Sequence, residues 1–178
     1  NLTVEEILIR SGNIGSVRVG QKVGEKKFKS FLKKIGVQGT IDFDIQEVGK
    51  PTPINWGKCK LATASYGHGI TTTLLQVAKG YAIVTNGGYD IQPTIIQKKI
   101  VEKYSKKRIL NIGVSDKINK ILRKIVTKKE GTAQLANVKG YEVGGKTGTA
   151  QISKNGRYTQ DKINTFAAVF PSQKPKYT

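Results

Sequence analysis

Tyr141-Glu142-Val143-Gly144-Gly145-Lys146-Thr147-Gly148-Thr149-Ala150 is the stretch on which the fold of this chain turns. It reads as a strand, although glycines weaken a strand and need a reason to be there. One reason is a ligand backbone lying against that edge, where a side chain would be in the way. Lys146 supplies a fixed positive charge, and the Thr147 and Thr149 hydroxyls can donate to a carboxylate. Together they describe an edge strand that receives an extended peptide ending in an anion. Glycine-rich strands also occur at bends, so the segment alone leaves an ordinary strand surface open. Thr165 to Phe170 reads as a second strand, buried on both faces and ended by Pro171. Lys154-Asn155-Gly156-Arg157 between them carries an Asn-Gly turn signal, so the two strands are expected to pair antiparallel.

Everything upstream is mostly helical. Thr3 caps a short helix over Val4 to Arg10, with Glu5 and Glu6 in the first turn where the helix dipole favours them. Ser11-Gly12-Asn13 is a tight polar turn, and a second helix spans Ser16 to Val23. Lys26 to Ile35 places Phe28, Phe31, Leu32 and Ile35 on one face, with Gly36 at the C-terminal cap. Gly39 to Trp56 has no helical period and holds Pro51 and Pro53, as expected of an ordered loop. Thr71 to Thr73 cap a helix with a broad apolar face of Leu74, Leu75, Val77, Ala78, Tyr81, Ala82 and Val84. Ile95 to Val101 suggests a strand. Ser115 caps a last helix with Ile118, Ile121, Leu122, Ile125 and Val126 on one side. Helices first and a hairpin last give an α+β pattern.

The chain has 178 residues, enough for one domain with a real core, and carries 31 basic against 12 acidic side chains for a net charge of +19. Such a field attracts anions. The lysine doublets at 26–27, 33–34, 98–99, 106–107 and 128–129 are spread along the length rather than gathered in one patch, so a solvated surface is expected and no nucleic-acid partner. Cys59 is the sole cysteine and His68 the sole histidine. Neither an intrachain disulfide nor a His/Cys metal site can be built, and a loop or packing role suits His68 better than catalysis. No apolar run approaches the ~20 residues that span a bilayer.

Ser11-Gly12-Asn13 is common turn chemistry by itself. Serine can relay a proton, however, and asparagine can hold an amide with both donor and acceptor. An early Ser-x-Asn with a late Lys-Thr-Gly resembles two of the three motifs of penicillin-binding proteins and class A β-lactamases. The similarity continues through Gly36, Thr40, Ile41, Asp42 and Glu47, through Tyr66-Gly67-His68-Gly69-Ile70, and through Gly131-Thr132-Ala133. Gly145 to Gln151 resembles the class B, monofunctional type, and Phe166 to Pro171 with Pro175-Lys176-Tyr177 resembles its septal members.

The resemblance implies the penicillin-binding-protein/serine β-lactamase-like transpeptidase fold, with residues 1–178 an incomplete C-terminal part of that domain. The family's Ser-x-x-Lys nucleophile motif is expected before Ser11, outside this chain. Ser30-Phe31-Leu32-Lys33 matches it literally but follows the Ser-x-Asn turn, in a lysine-rich helix, and is read as coincidence.

The implied reaction is acyl transfer between peptidoglycan stem peptides ending in D-Ala-D-Ala, with β-lactams as mimics and no cofactor. Ser11, Asn13 and Lys146 are the implied catalytic residues, and Thr147, Gly148 and Thr149 the substrate-binding run. The Thr149 N–H would give half of an oxyanion hole. The resemblance further implies cell-division partners, a membrane anchor upstream and a catalytic domain facing the periplasm or cell exterior. A serine β-lactamase, a D,D-carboxypeptidase and a non-catalytic β-lactam-sensing or basic binding module are the alternatives. One geometric question stands: alternation puts Thr147 and Thr149 on one face of the strand and Lys146 on the other. A shared site needs a twist, or a lysine that reaches round the edge.

Overall fold

The structure, a computed structural model, describes residues 1–97, 107–154 and 157–178. The helices are α1 (Val4–Ile9), α2 (Asn13–Val23), α3 (Glu25–Lys34), α4 (Lys60–Ala64), α5 (Leu74–Thr85) and α6 (Ile112–Thr127), followed by strands β1 (Gly144–Lys154) and β2 (Arg157–Val169). The strands pair antiparallel from Gly144↔Val169 to Lys154↔Arg157, with an irregularity between Gln151 and Ser153. The expected Asn155-Gly156 turn, the Lys98-Lys99 doublet and Lys106 lie outside the described residues. So does the end of the Ile95–Val101 strand, whose described part, through Gln97, is not a strand.

Helix α6 organises the molecule. Leu122, Ile125 and Val126 on one of its faces gather Ile9 from α1, Ala133 from the following turn and Val169 from β2 into the main buried cluster. Burial of each of the Leu, Ile and Val side chains contributes roughly 1.5–3 kcal/mol. The same helix packs against β1, α1 and α5. Through α6, the start of the chain and its end are brought to one place. Among the described residues no helix is long and apolar enough to cross a membrane.

Several local expectations are corrected. Helix α2 starts at Asn13, three residues earlier than its apolar pattern indicates. Helix α6 is capped by Asn111, whose side chain accepts from the Gly113 N–H at 2.8 Å. Ser115 lies inside that helix, fully buried, and accepts from the Gly87 N–H at 2.9 Å. Helix α5 buries Gln76, Gly80, Ile83 and Thr85, while Leu74 is 82% exposed. Phe31 is 37% exposed rather than packed with Leu32. Strand β2 is covered at Val169 but leaves Ile163 and Phe166 open, so it is not buried on both faces.

Candidate active site

Three helices end with the same device. After α3 the Gly36 N–H donates to Lys33 O and the Val37 N–H to Leu32 O; after α4 the Gly67 N–H donates to Ala64 O and the His68 N–H to Thr63 O. These are Schellman endings, whose first non-helical residue takes the left-handed conformation that favours glycine. Gly36 has φ 79° and Gly67 φ 86°. Helix α1 ends with the same pair of bonds, from the Gly12 N–H to Ile7 O at 2.9 Å and from the Ser11 N–H to Leu8 O at 3.2 Å. The left-handed residue there is Ser11, at φ 55°, the single non-glycine with positive φ among the described residues. This conformation costs a side-chain-bearing residue of the order of 1–2 kcal/mol. It carries the serine hydroxyl to the mouth of a cleft, where Asn13, at the start of α2, is also exposed.

The other wall of the cleft is β1. Lys146 Nζ donates to Ser11 Oγ at 2.7 Å and to Thr147 O at 2.7 Å. Bonding to the carbonyl of its own neighbour means that the lysine stem curls around the strand edge. That resolves the alternation problem, since Lys146, Thr147 and Thr149 all line one cleft although they alternate along β1. Half-burial of the ammonium holds its pKa below the usual lysine range. The β1 glycines have reasons within the chain. A Cβ at Gly144 would press on Ser172 and the α6 backbone at 3.0–3.3 Å, and one at Gly145 would meet the Phe166 ring at 2.5 Å. One at Gly148 would meet Thr165 Oγ1 at 2.6 Å.

The cleft has a volume of about 750 Å³ and holds Ser11, Asn13, Lys146, Thr147, Gly148 and Thr149 together. Tyr66 and His68 line its far side, with their rings 6.0 Å apart. Among the described residues no Asp or Glu lines it. One lysine and several hydroxyls without a carboxylate suit an anion-bearing ligand. Thr132 also lines the cleft, 2.7 Å from Thr147 across a hydroxyl–hydroxyl hydrogen bond. The Gly131-Thr132-Ala133 run thus brings its threonine to the cleft beside β1, a role its sequence did not indicate. Ser30, of the literal Ser-x-x-Lys, does not line the cleft; it lies on the wall of an adjoining apolar groove between α1, α2 and α3. Trp56 is likewise away from the cleft, edge-on to Phe28 and covered by Lys29.

Comparison with known proteins finds relatives along the whole chain. The family description "Penicillin binding protein transpeptidase domain" matches residues 1–178. Stage V sporulation protein D of Bacillus subtilis is 33% identical over 97% of this chain and 29% of its own length. The "Probable peptidoglycan D,D-transpeptidase FtsI" of Caulobacter vibrioides is 31% identical over 98% of this chain and 30% of its own. The chain thus spans under a third of these relatives. Among solved structures, the TP domain of penicillin-binding protein 3 from Burkholderia pseudomallei superposes with TM-score 0.91 at 24% identity, over 98% of this chain and 54% of that one. Penicillin binding protein 3 of Mycobacterium tuberculosis, complexed with aztreonam, superposes at 0.89 and 26% identity, over 98% of this chain and 43% of that one. The chain belongs to the penicillin-binding protein transpeptidase domain family.

Proposed function

We propose that residues 1–178 form the C-terminal part of a class B, septal D,D-transpeptidase domain, holding two of the three groups of motifs that perform serine acyl transfer. The observation that carries this reading is the Lys146 Nζ–Ser11 Oγ hydrogen bond at 2.7 Å, between residues 135 apart in sequence. In the proposed reaction, a serine contributed from outside these residues gives its hydroxyl proton to the lysine of the same Ser-x-x-Lys motif as it attacks the penultimate D-alanine carbonyl of a stem peptide. The bond to the last D-alanine breaks, and an amine is a poor leaving group unless it is protonated. Ser11 gives that proton and is resupplied by Lys146, whose lowered pKa eases the transfer. Asn13 holds the substrate amide. Thr147 and Thr149 bind the terminal carboxylate, Gly148 leaves the strand edge clear, and the Thr149 N–H faces the developing oxyanion. An amine of a neighbouring stem then accepts the acyl group.

The names of the relatives support a peptidoglycan D,D-transpeptidase, and the aztreonam and ampicillin complexes of the Mycobacterium tuberculosis protein support β-lactams as ligands of this cleft. Cell-division partners, an upstream membrane anchor and an extracytoplasmic location belong to the same proposal. Intact-mass spectrometry after incubation with benzylpenicillin tests it. The full-length protein is expected to take up one adduct, on a serine outside residues 1–178, and the chain alone none. An adduct on Ser30 or Ser11 would overturn the assignment of roles.

A further inference from the structure

Thr147 has a hydroxyl partner at the cleft. The Thr132 and Thr147 hydroxyl oxygens are 2.7 Å apart, and either can donate to the other. The Thr132 backbone is fixed from both sides. A Cβ on Gly131 would collide with the Ile125 carbonyl, and the Gly131 N–H donates to Lys128 O. Ala133 is buried in the α6 cluster, and its N–H donates to Ile125 O. Gln134 closes the turn by donating to Lys129 O and Gly131 O. Thr132 itself is exposed to the cleft. A rigid turn that presents one hydroxyl to another at an open ligand cleft is more than packing requires.

The neighbouring threonine is committed differently. Thr149 Oγ1 donates to Asn164 Oδ1 across the strand pair at 3.1 Å. Its single proton points across the strand pair and must turn away from Asn164 to meet a carboxylate, whereas the proton of Thr147 already points outwards if Thr132 does the donating. A hydroxyl has one proton and two acceptor sites, so a bond accepted from Thr132 leaves Thr147 a pure donor towards the cleft. Chained hydroxyls polarise one another in the same direction, strengthening the outward bond.

We infer that Thr132 is a positioning residue: it donates to Thr147, and through it sets the strength and selectivity of the cleft for a ligand carboxylate. This rests on the acyl-transfer reading given above and deepens it by naming Thr147, backed by Thr132, as the principal carboxylate donor.

The test compares full-length wild-type protein with Thr132→Val, which keeps the shape and loses the hydroxyl, and Thr132→Ser, which keeps the hydroxyl. Acylation is measured with benzylpenicillin and with its uncharged methyl ester, separating the binding constant from the limiting acylation rate, and thermal unfolding checks the fold. Thr132→Val is expected to weaken benzylpenicillin binding about five- to tenfold, the worth of one hydrogen bond to a charged ligand's donor. The limiting rate and the methyl ester reaction should be unchanged, and Thr132→Ser should restore binding. Equal slowing with both compounds, or no restoration by serine, overturns the inference in favour of a purely structural turn. If wild type acylates and Thr132→Val matches it on benzylpenicillin, the inference alone fails. If wild type is not acylated at all, the acyl-transfer reading fails and takes the inference with it.

Discussion

Ser11 combines a conformation that suits glycine with a side chain that glycine lacks. Gly36 and Gly67 fill the equivalent position after α3 and α4. Keeping a serine there retains backbone strain in exchange for a hydroxyl beside Lys146. Two variants separate these effects in the full-length protein. Ser11→Ala and Ser11→Gly should both lower the acylation rate by about 100-fold or more, as loss of a proton relay does. On thermal unfolding, Ser11→Gly should be the more stable of the two by about 1 kcal/mol, since only glycine relaxes the left-handed backbone. Equal stability of the pair would count against stored strain. Lys146 makes a second residue-scale prediction. Between its burial-lowered pKa and the ordinary 10.5, the unfolded chain keeps a proton that the folded chain has released. Raising the pH through that window therefore favours folding, whereas below it both states are protonated and the effect is constant. The stability difference between wild type and Lys146→Met should accordingly shift in favour of wild type as pH rises towards 10.5, as read from urea midpoints. Both residues were legible as motif letters. Neither the left-handed turn nor the lysine curling round its strand edge was, because each depends on where α6 brings the two ends of the chain together.

At the scale of elements, type was easier to read than orientation. The α1, α3 and hairpin assignments follow from caps, period and turn residues that act locally. Helix α5 did not yield its buried face, because apolar residues run almost all round it and periodicity cannot choose among them. The structure chooses Gln76, which is 1% exposed. Its Nε2 donates to Gly39 O at 2.8 Å, and its Oε1 accepts from the Thr73 N–H at 3.0 Å, completing a capping box. One polar side chain thus starts the helix and also ties down the loop that begins at Gly39. Gln76→Leu keeps the volume but leaves the Gly39 carbonyl and the Thr73 N–H without partners. It should cost about 1–3 kcal/mol in urea unfolding, the net worth of two part-buried hydrogen bonds. A change within 0.5 kcal/mol, roughly the level of an ordinary surface substitution, would show the network to be dispensable. The glycines of β1 teach a similar lesson. Their presence hinted at a ligand, yet Phe166, Thr165 and α6 account for them, and those neighbours are distant in sequence.

The whole molecule exposes more surface than its mass warrants. A monomeric protein of this size is expected to show about 8,500 Å² of accessible surface, whereas this chain shows 12628 Å². The excess, about 4,100 Å² on one partner, is above the one-sided share of an ordinary obligate interface. An apolar groove of about 940 Å³ is walled by Ile7, Leu8, Val19, Val23, Phe31 and Val114. Ile7, Leu8, Ser16 and Ser65 line both this groove and the cleft, so the two are continuous. The matched structures are about twice as long as the region this chain covers, the chain accounting for 54% and 43% of them. Under the proposed function, the rest of the same domain fills the groove and delivers the nucleophilic serine to the cleft. Val23 offers a clean probe, because it is 43% exposed in this chain and lines the groove without touching the cleft. On a solvent-facing wall, Val23→Asp would change stability by no more than about 0.5 kcal/mol. Beneath a packed segment it buries an unpaired carboxylate and should cost several-fold more, about 2–4 kcal/mol, with acylation falling as the serine loses its support. Urea unfolding of the full-length variant decides between the two, and a surface-like value would mean that the groove stays open and the serine reaches the cleft by another route.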